Sequence, residues 1–176
     1  MEPDNLALDR YILSSWHGSN REPRVCFIPT ATGDSADYIN RFYLAFEKLP
    51  CRPTHLSLVD PPTPGGFASS RSVVEEAVLG NDIFYVGGGN TREMLAVWQE
   101  RGLDRALRDA WQGGKLLCGI SAGAICWFEQ AISDSVRQKL PTSPFRLILG
   151  KLCRVGRRPC LVHLQICFSF FAPFCG

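Results

Sequence analysis

The sequence predicts an α/β fold, a three-layer sandwich with a mostly parallel sheet between two layers of helices. Short apolar runs alternate along the chain with longer segments whose apolar residues recur at helical spacing. Strands that are separated by helices of this length pair in parallel through right-handed crossovers. Such sheets place their functional sites at the carboxyl ends of the strands, so the loops that follow the strands carry most information about function.

The first part of the chain is predicted to contain two helices and one strand. Asp4 or Asn5 caps a helix whose apolar residues repeat at helical spacing up to Trp16. The apolar run at 24–29 follows as a strand that is buried on both faces. Ser35 then caps a second helix, which has an aromatic face.

The middle of the chain continues the alternation. Residues 55–59 are predicted to form the next strand, and residues 60–66 form a loop because three prolines and two glycines suit neither a helix nor a strand. Residues 72–79 have a helical pattern. The apolar run at 82–86 is a strand that leads directly into three consecutive glycines.

The last predicted elements lead to a second glycine-containing junction. Two helices, at 92–101 and 104–111, precede a strand at 115–119. A helix at 122–130 begins almost immediately after that strand, which leaves a single sharp turn between them.

Charge and cysteine are distributed unevenly, although the net charge is only +2. Residues 1–134 hold all 17 acidic residues and have a net charge of −5, whereas residues 135–176 hold seven Lys or Arg, no acid and a net charge of +7. Four of the eight cysteines also lie in the second segment, at spacings that match no zinc motif: Cys153, Cys160, Cys167 and Cys175. We therefore expect an α/β domain at 1–134 and a basic, cysteine-rich tail at 135–176, to which we assign no structure.

The remaining cysteines are predicted to be free, and the chain shows no targeting or membrane segment. Cys26, Cys51, Cys118 and Cys126 lie among apolar residues and are predicted to be buried free thiols. The polar N-terminal residues do not form a signal peptide, and no uncharged apolar run is long enough to span a membrane. A cytoplasmic protein is therefore expected.

The segment Gly-Ile-Ser-Ala-Gly at 119–123 is typical of a nucleophile elbow, in which a strained turn between a strand and a helix exposes a serine hydroxyl. Ser121 is the candidate nucleophile, and the Ala122 N–H is positioned to donate to an oxyanion. The alternative interpretation is a structural turn, because the five-residue pattern also arises by chance.

The three glycines after the neighbouring strand expose unhindered backbone N–H groups. Gly88 or Gly89 is a candidate for the second oxyanion donor. A plain turn and a phosphate cradle are the alternatives, but the cradle is disfavoured because neither G-x-G-x-x-G nor a Walker lysine is present.

Three segments together resemble the peptidase E (aspartyl dipeptidase) family of serine peptidases, which is related to cyanophycinase. They are RVCFIPTA at 24–31, FYVGGGNT at 84–91 and GISAGAICWF at 119–128. The resemblance implies a class I glutamine-amidotransferase-like (flavodoxin-like) fold. It implies a cytoplasmic peptidase for Asp-Xaa dipeptides, with a small peptide as substrate, no metal or cofactor, no nucleic-acid partner and no membrane. It also implies that Ser121 is the nucleophile and that the Gly88 and Ala122 backbone lines the oxyanion hole.

The chain departs from the family pattern at both ends. The family's first strand and glycine-rich turn would precede Met1, and the later strand with its general-base histidine and the triad acid is not found after Ser135. We therefore expect the fold to be incomplete at both ends. Two functions remain open: an active serine dipeptidase, and an inactive relative whose tail derives from a frameshift, an alternative exon or a rearranged gene. A third and weaker hypothesis makes the basic tail a binding arm for nucleic acid or a membrane surface.

Three histidines are candidates for the general base that a serine nucleophile needs. His163 follows the serine, as the family order requires, and is the candidate we retain. His55 falls in a predicted strand and His17 at the end of the first helix, where structural roles are expected. Asp134 could contact substrate or orient the base, but a solvated loop acid is the favoured interpretation.

Overall fold

The computed structural model describes residues 6–18, 21–59 and 71–128, in which four parallel strands form one sheet. The strands are β1 (Arg24–Ile28), β2 (Arg52–His55), β3 (Ile83–Val86) and β4 (Leu116–Gly119). Their order across the sheet is β2-β1-β3-β4, and each neighbouring pair is parallel. The predicted α/β class with a mostly parallel sheet is confirmed.

Six α-helices accompany the sheet in the described residues, and a short 3-10 helix at Thr30–Thr32 follows β1. The α-helices are α1 (Ala7–Ser14), α2 (Ala36–Phe46), α3 (Arg71–Gly80), α4 (Thr91–Arg101), α5 (Leu103–Gln112) and α6 (Ala122–Ile125). None of the helices in the part of the chain described has the length and apolar character needed to cross a membrane.

Alternate residues of the strands face opposite sides of the sheet and belong to two separate hydrophobic clusters. In β1, Cys26 and Ile28 pack in a cluster with residues of α3, α4 and α5. Val25 and Phe27 face the other side and pack with residues of α1 and α2. The rings of Phe27 and Phe42 stack there with centroids 4.7 Å apart. Helices therefore cover both faces, and burial of each large apolar side chain contributes about 1.5–3 kcal/mol.

The prediction for the second strand was wrong in position. The strand is Arg52–His55 and not 55–59, because it pairs with β1 from its first residue onward. The ladder ends when the Leu56 N–H donates to the Phe27 carbonyl oxygen. Beyond the strand, the Asp34 carboxylate accepts hydrogen bonds from the N–H groups of Leu58 and Val59, each at 2.6 Å. These two residues therefore lie in a loop that Asp34 holds in place.

The helix after the serine is shorter than predicted. The prediction was 122–130, whereas α6 ends at Ile125. The Phe128 N–H donates to the Ile125 carbonyl oxygen, a three-residue spacing that tightens the chain into a turn. The turn places Trp127 in the core beside Trp98, with ring centroids 6.0 Å apart.

One cap and one helix end differ from the prediction. Ser35 precedes α2 as predicted, but its side chain makes no capping hydrogen bond. The first helix ends at Ser14, so Trp16 lies beyond it, with the Arg21 guanidinium 5.6 Å from its ring centroid. The predicted caps Asp4 and Asn5, the loop at 60–66 and the tail at 135–176 lie outside the described residues.

Candidate active site

Ser121 occupies the turn between β4 and α6 in a backbone conformation that is rare for a residue with a side chain. Its φ is 54° and its ψ is −117°. Such a conformation costs about 1–3 kcal/mol and persists only where the surrounding structure enforces it. The Ser121 side chain is exposed, whereas Gly119 and Ala122 are buried. The turn therefore presents a hydroxyl at the carboxyl edge of the sheet.

The two glycines that flank Ser121 allow the turn to approach β3 closely. A Cβ on Gly123 would lie 2.2 Å from the Val86 carbonyl oxygen, and one on Gly119 would lie 2.3 Å from the Gly123 carbonyl oxygen. The Ile120 N–H also donates to the Val86 oxygen, at 3.1 Å. No side chain fits at either position, so the G-x-S-x-G spacing is a packing requirement of this turn.

The triple-glycine loop lies directly beside the serine, because the strands that precede the two loops, β3 and β4, are neighbours in the sheet. A Cβ on Gly88 would lie 3.1 Å from the Ser121 Cβ and 3.6 Å from its Oγ. The far end of the loop is fixed because the Asn90 N–H donates to the Ala31 carbonyl oxygen at 2.7 Å. Asn90 then caps α4 by accepting from the N–H groups of Arg92 and Glu93.

Gly89 is pressed against the loop that follows β1. A Cβ on Gly89 would lie 2.2 Å from the Ala31 carbonyl oxygen. The triple-glycine loop after β3 thus contacts both the loop after β1 and the serine turn after β4.

Sequence reasoning missed Tyr38, which belongs to this site. The Gly88 N–H donates to the Tyr38 hydroxyl at 3.2 Å. The Tyr38 ring reaches that position over Gly87, where a Cβ would lie 2.9 Å from the ring carbon Cε1. Tyr38 is 50 residues from Gly88 in the chain. An aromatic residue in the first turn of a helix carries no motif that could have identified it.

The two histidines in the described residues lie away from Ser121. His55 ends β2, which is three strands from β4, so roughly 14 Å separates the two strands at the usual interstrand spacing. Its Nδ1 is 2.9 Å from the Tyr43 hydroxyl. His17 is exposed, in the segment that leads toward the amino end of β1. The retained candidate, His163, and Asp134 lie outside the described residues.

The cysteines near the turn are unsuited to act as nucleophiles. Burial raises the pKa of the Cys118 thiol and of the Cys126 thiol well above the ordinary value, so both remain protonated at neutral pH. Burial likewise raises the pKa of Cys26 to about 12 and that of Cys51 to about 11. All four are free and buried, which confirms the prediction. The described side chains form no group of three His, Cys, Asp or Glu that could hold a metal ion.

Comparison with known proteins identifies relatives of this chain. The family model for Peptidase family S51 matches residues 1–150. The "Uncharacterized peptidase YgaJ" of Bacillus subtilis (strain 168) is 48% identical over 153 residues, which cover 87% of this chain and 62% of that protein. The chain thus spans less than two thirds of the length of that relative.

Two solved structures share the fold. A protein named as a peptidase E from Listeria monocytogenes EGD-e matches with a TM-score of 0.61 and 24% identity, over 84% of this chain and 70% of that one. A peptidase from an acI-B1 Actinobacterium matches with a TM-score of 0.59 and 20% identity, over 74% of this chain and 54% of that one. On the family match over residues 1–150 and the identity to YgaJ, the chain belongs to Peptidase family S51.

Proposed function

We propose that this chain carries the nucleophile and the oxyanion hole of a serine peptidase, with Ser121 as the attacking residue. The observation that carries the proposal is the position of Ser121, strained and exposed at a turn whose neighbour is the triple-glycine loop. Strain of this kind concentrates at functional sites, where the surrounding packing maintains it. A plain structural turn gains nothing from holding a serine in this conformation.

The roles of the surrounding groups follow from the chemistry of acyl transfer. The Ser121 Oγ attacks the peptide carbonyl carbon, and the carbonyl oxygen becomes an oxyanion. The N–H groups of Ala122 and Gly88 stabilise that oxyanion, with Gly89 as the alternative to Gly88. Loss of one such donor typically costs about 3 kcal/mol of transition-state stabilisation.

A general base must accept the hydroxyl proton and return it to the leaving amine, and must then take a proton from the water that hydrolyses the acyl ester on Ser121. We assign this role to His163, the histidine that follows Ser121 in the chain. The separation of β2 from β4 argues against His55. In this proposal residues 1–134 form the domain that holds the nucleophile, and the tail at 135–176 supplies the base.

The proposed substrates are short peptides, and Asp-Xaa dipeptides in particular. The support is the membership in Peptidase family S51 and the resemblance of the segments around Gly88 and Ser121 to peptidase E. No metal or cofactor enters the proposed reaction.

Hydrolysis of Asp-Xaa dipeptides, followed by aspartate release, tests this function. Ser121→Ala should abolish release, and Ser14→Ala, which removes an exposed hydroxyl that bonds to the Tyr11 carbonyl oxygen on α1, should not change it. His163→Ala should reduce the rate by several orders of magnitude. A folded chain that neither releases aspartate nor reacts with a fluorophosphonate at Ser121 would support the inactive relative instead.

A further inference from the structure

The oxyanion hole that the proposed function requires is already engaged. The Gly88 N–H, one of its two donors, is bonded to the Tyr38 hydroxyl oxygen at 3.2 Å. A backbone N–H has one proton and makes one well-aligned hydrogen bond at a time. A substrate oxygen and the Tyr38 hydroxyl therefore compete for the same donor.

The Tyr38 ring is fitted to this position on several sides. It meets the Phe27 ring edge to face, with centroids 5.1 Å apart. Its edge lies over Gly87, where no side chain larger than hydrogen fits. The Arg41 guanidinium lies 5.2 Å from the ring centroid. These contacts hold the hydroxyl beside Gly88 without a substrate.

Access of a substrate oxygen to the Gly88 N–H requires the Tyr38 side chain to rotate. It is partly exposed and lies in the first turn of α2, so a change in its side-chain torsions can withdraw the hydroxyl without unfolding the helix. The aromatic residues beneath it, Phe27 and Phe42, are fully buried and would stay in place when Tyr38 rotates.

We propose that Tyr38 gates the oxyanion hole. In the free protein its hydroxyl accepts the Gly88 N–H, the hydrogen-bond donor that the proposed oxyanion needs. The hydroxyl must withdraw before the substrate oxygen can accept from Gly88. The inference rests on the proposed function and adds a residue that controls access to the same site.

The charge that develops during the reaction explains how the substrate oxygen displaces the Tyr38 hydroxyl from Gly88. The Tyr38 oxygen is a neutral acceptor, and so is the carbonyl oxygen of a bound peptide. The oxygen of the tetrahedral intermediate is charged, and a charge-assisted hydrogen bond is roughly twice as strong as a neutral one. The hydroxyl therefore competes with the carbonyl in the ground state but loses Gly88 to the oxyanion.

Tyr38→Phe tests the gate because it removes the hydroxyl and keeps the ring. The probe is a fluorophosphonate, and the readout is its rate of attachment to Ser121 in the full chain. Tyr38→Phe should react two- to tenfold faster than the unmodified protein, an increase that corresponds to one neutral hydrogen bond released before reaction. Tyr43→Phe is the matched control. It removes a tyrosine hydroxyl of the same helix, but that hydroxyl contacts His55 and not Gly88, so the rate should be unchanged.

A second measurement reports on the contact without any chemistry at Ser121. In protein labelled with 15N-glycine, the Gly88 amide hydrogen should exchange with solvent at least several-fold faster in Tyr38→Phe than in Tyr43→Phe. An unchanged or slower reaction in Tyr38→Phe, with the unmodified protein reactive, overturns the gate and leaves the proposed function intact. Unchanged Gly88 exchange also overturns it. Absence of labelling in every variant overturns the proposed function, and the gate with it.

Discussion

The Cα of Gly88 lies against the side chain of Ser121, so close that a Cβ at Gly88 would stand 3.1 Å from the Ser121 Cβ and 3.6 Å from its Oγ. The two residues belong to loops that follow adjacent parallel strands, β3 and β4. Their contact is what brings the hydroxyl and the backbone N–H groups of the triple-glycine loop together.

Gly88→Ala should reduce activity with little loss of stability. The added methyl group meets the Ser121 Cβ and the Ile120 carbonyl oxygen at 3.1 and 3.3 Å, distances that require a shift of a few tenths of an ångström. We expect kcat/KM to fall at least tenfold because oxyanion donors act only in precise geometry. Steady-state kinetics on an Asp-Xaa dipeptide, together with a urea melt, measure both effects. Unchanged kcat/KM would contradict the proposed place of Gly88 in the site.

Gly123→Ala should destabilise the fold, because the new Cβ would lie 2.2 Å from the Val86 carbonyl oxygen, a backbone atom. The junction of β3 with the serine turn must then open, at a cost of about 3 kcal/mol. Urea denaturation followed by circular dichroism measures the loss. Gly80→Ala is the control, since a Cβ there meets no atom within 4 Å, and it should leave the midpoint almost unchanged. Equal midpoints for the two variants would show that the turn is not packed as described.

Asp34 should stabilise the loop after β2 through its role as an acceptor. One carboxylate oxygen, Oδ2, accepts from the N–H groups of both Leu58 and Val59. Asp34→Ala should lower the free energy of unfolding by about 2 kcal/mol, because these N–H groups lose their partner. Asp34→Asn keeps an acceptor and should cost less, since burial raises the pKa of Asp34 and already disfavours its charge. If Asp34→Asn and Asp34→Ala lost equal free energy of unfolding in the same urea assay, the charge of Asp34 would matter and its hydrogen bonds would not.

Asp82 should make stability depend on pH in the acid range. Burial acts to raise the pKa of Asp82, but hydrogen bonds from the Arg21 guanidinium and the Arg24 N–H, with nearby positive charge, lower it below the ordinary 3.8. A carboxyl whose pKa is lowered in the folded state stabilises the protein at every pH above its pKa in the unfolded chain, near 3.8. That contribution is lost as the pH falls through the folded pKa.

The test compares the unmodified protein with Asp82→Asn in urea melts between pH 7 and pH 2. The unmodified protein should be more stable at pH 7, and the margin should shrink below pH 3.8 as Asp82 takes up a proton. Glu22→Gln serves as the control, because the Glu22–Arg52 pair at 3.6 Å is largely exposed and should contribute little. A margin that stays constant across this range would rule out the linkage.

The parts of the fold that the sequence predicted are those with strong local patterns. The apolar runs of β1, β3 and β4 and the periodicity of α3, α4 and α5 marked these elements closely. β2 was misplaced because Arg52 and His55 at its ends are exposed and its residues lack an apolar pattern. Its position depends on pairing with β1.

In the candidate site, too, only the residues with a strong local pattern were predictable. Ser121 and Gly88 lie in loops of recognisable composition. Parallel topology places both loops at one edge of the sheet, and the pairing of β3 with β4 makes them neighbours. Tyr38 could not be predicted, since only the packing of α2 over Gly87 brings its hydroxyl to the Gly88 N–H. The histidine lies in residues that carry no local pattern to locate them, so its role stays a proposal.

Reaction of the folded chain with a fluorophosphonate, with the modified residue located by tandem mass spectrometry, tests the central claim most directly. One adduct should form in native buffer, on Ser121, and none in 6 M urea, because only the folded chain brings the hydroxyl together with its proposed oxyanion donors and general base. Absence of an adduct on Ser121 in the folded protein, or equal modification of the unfolded chain, would contradict that claim.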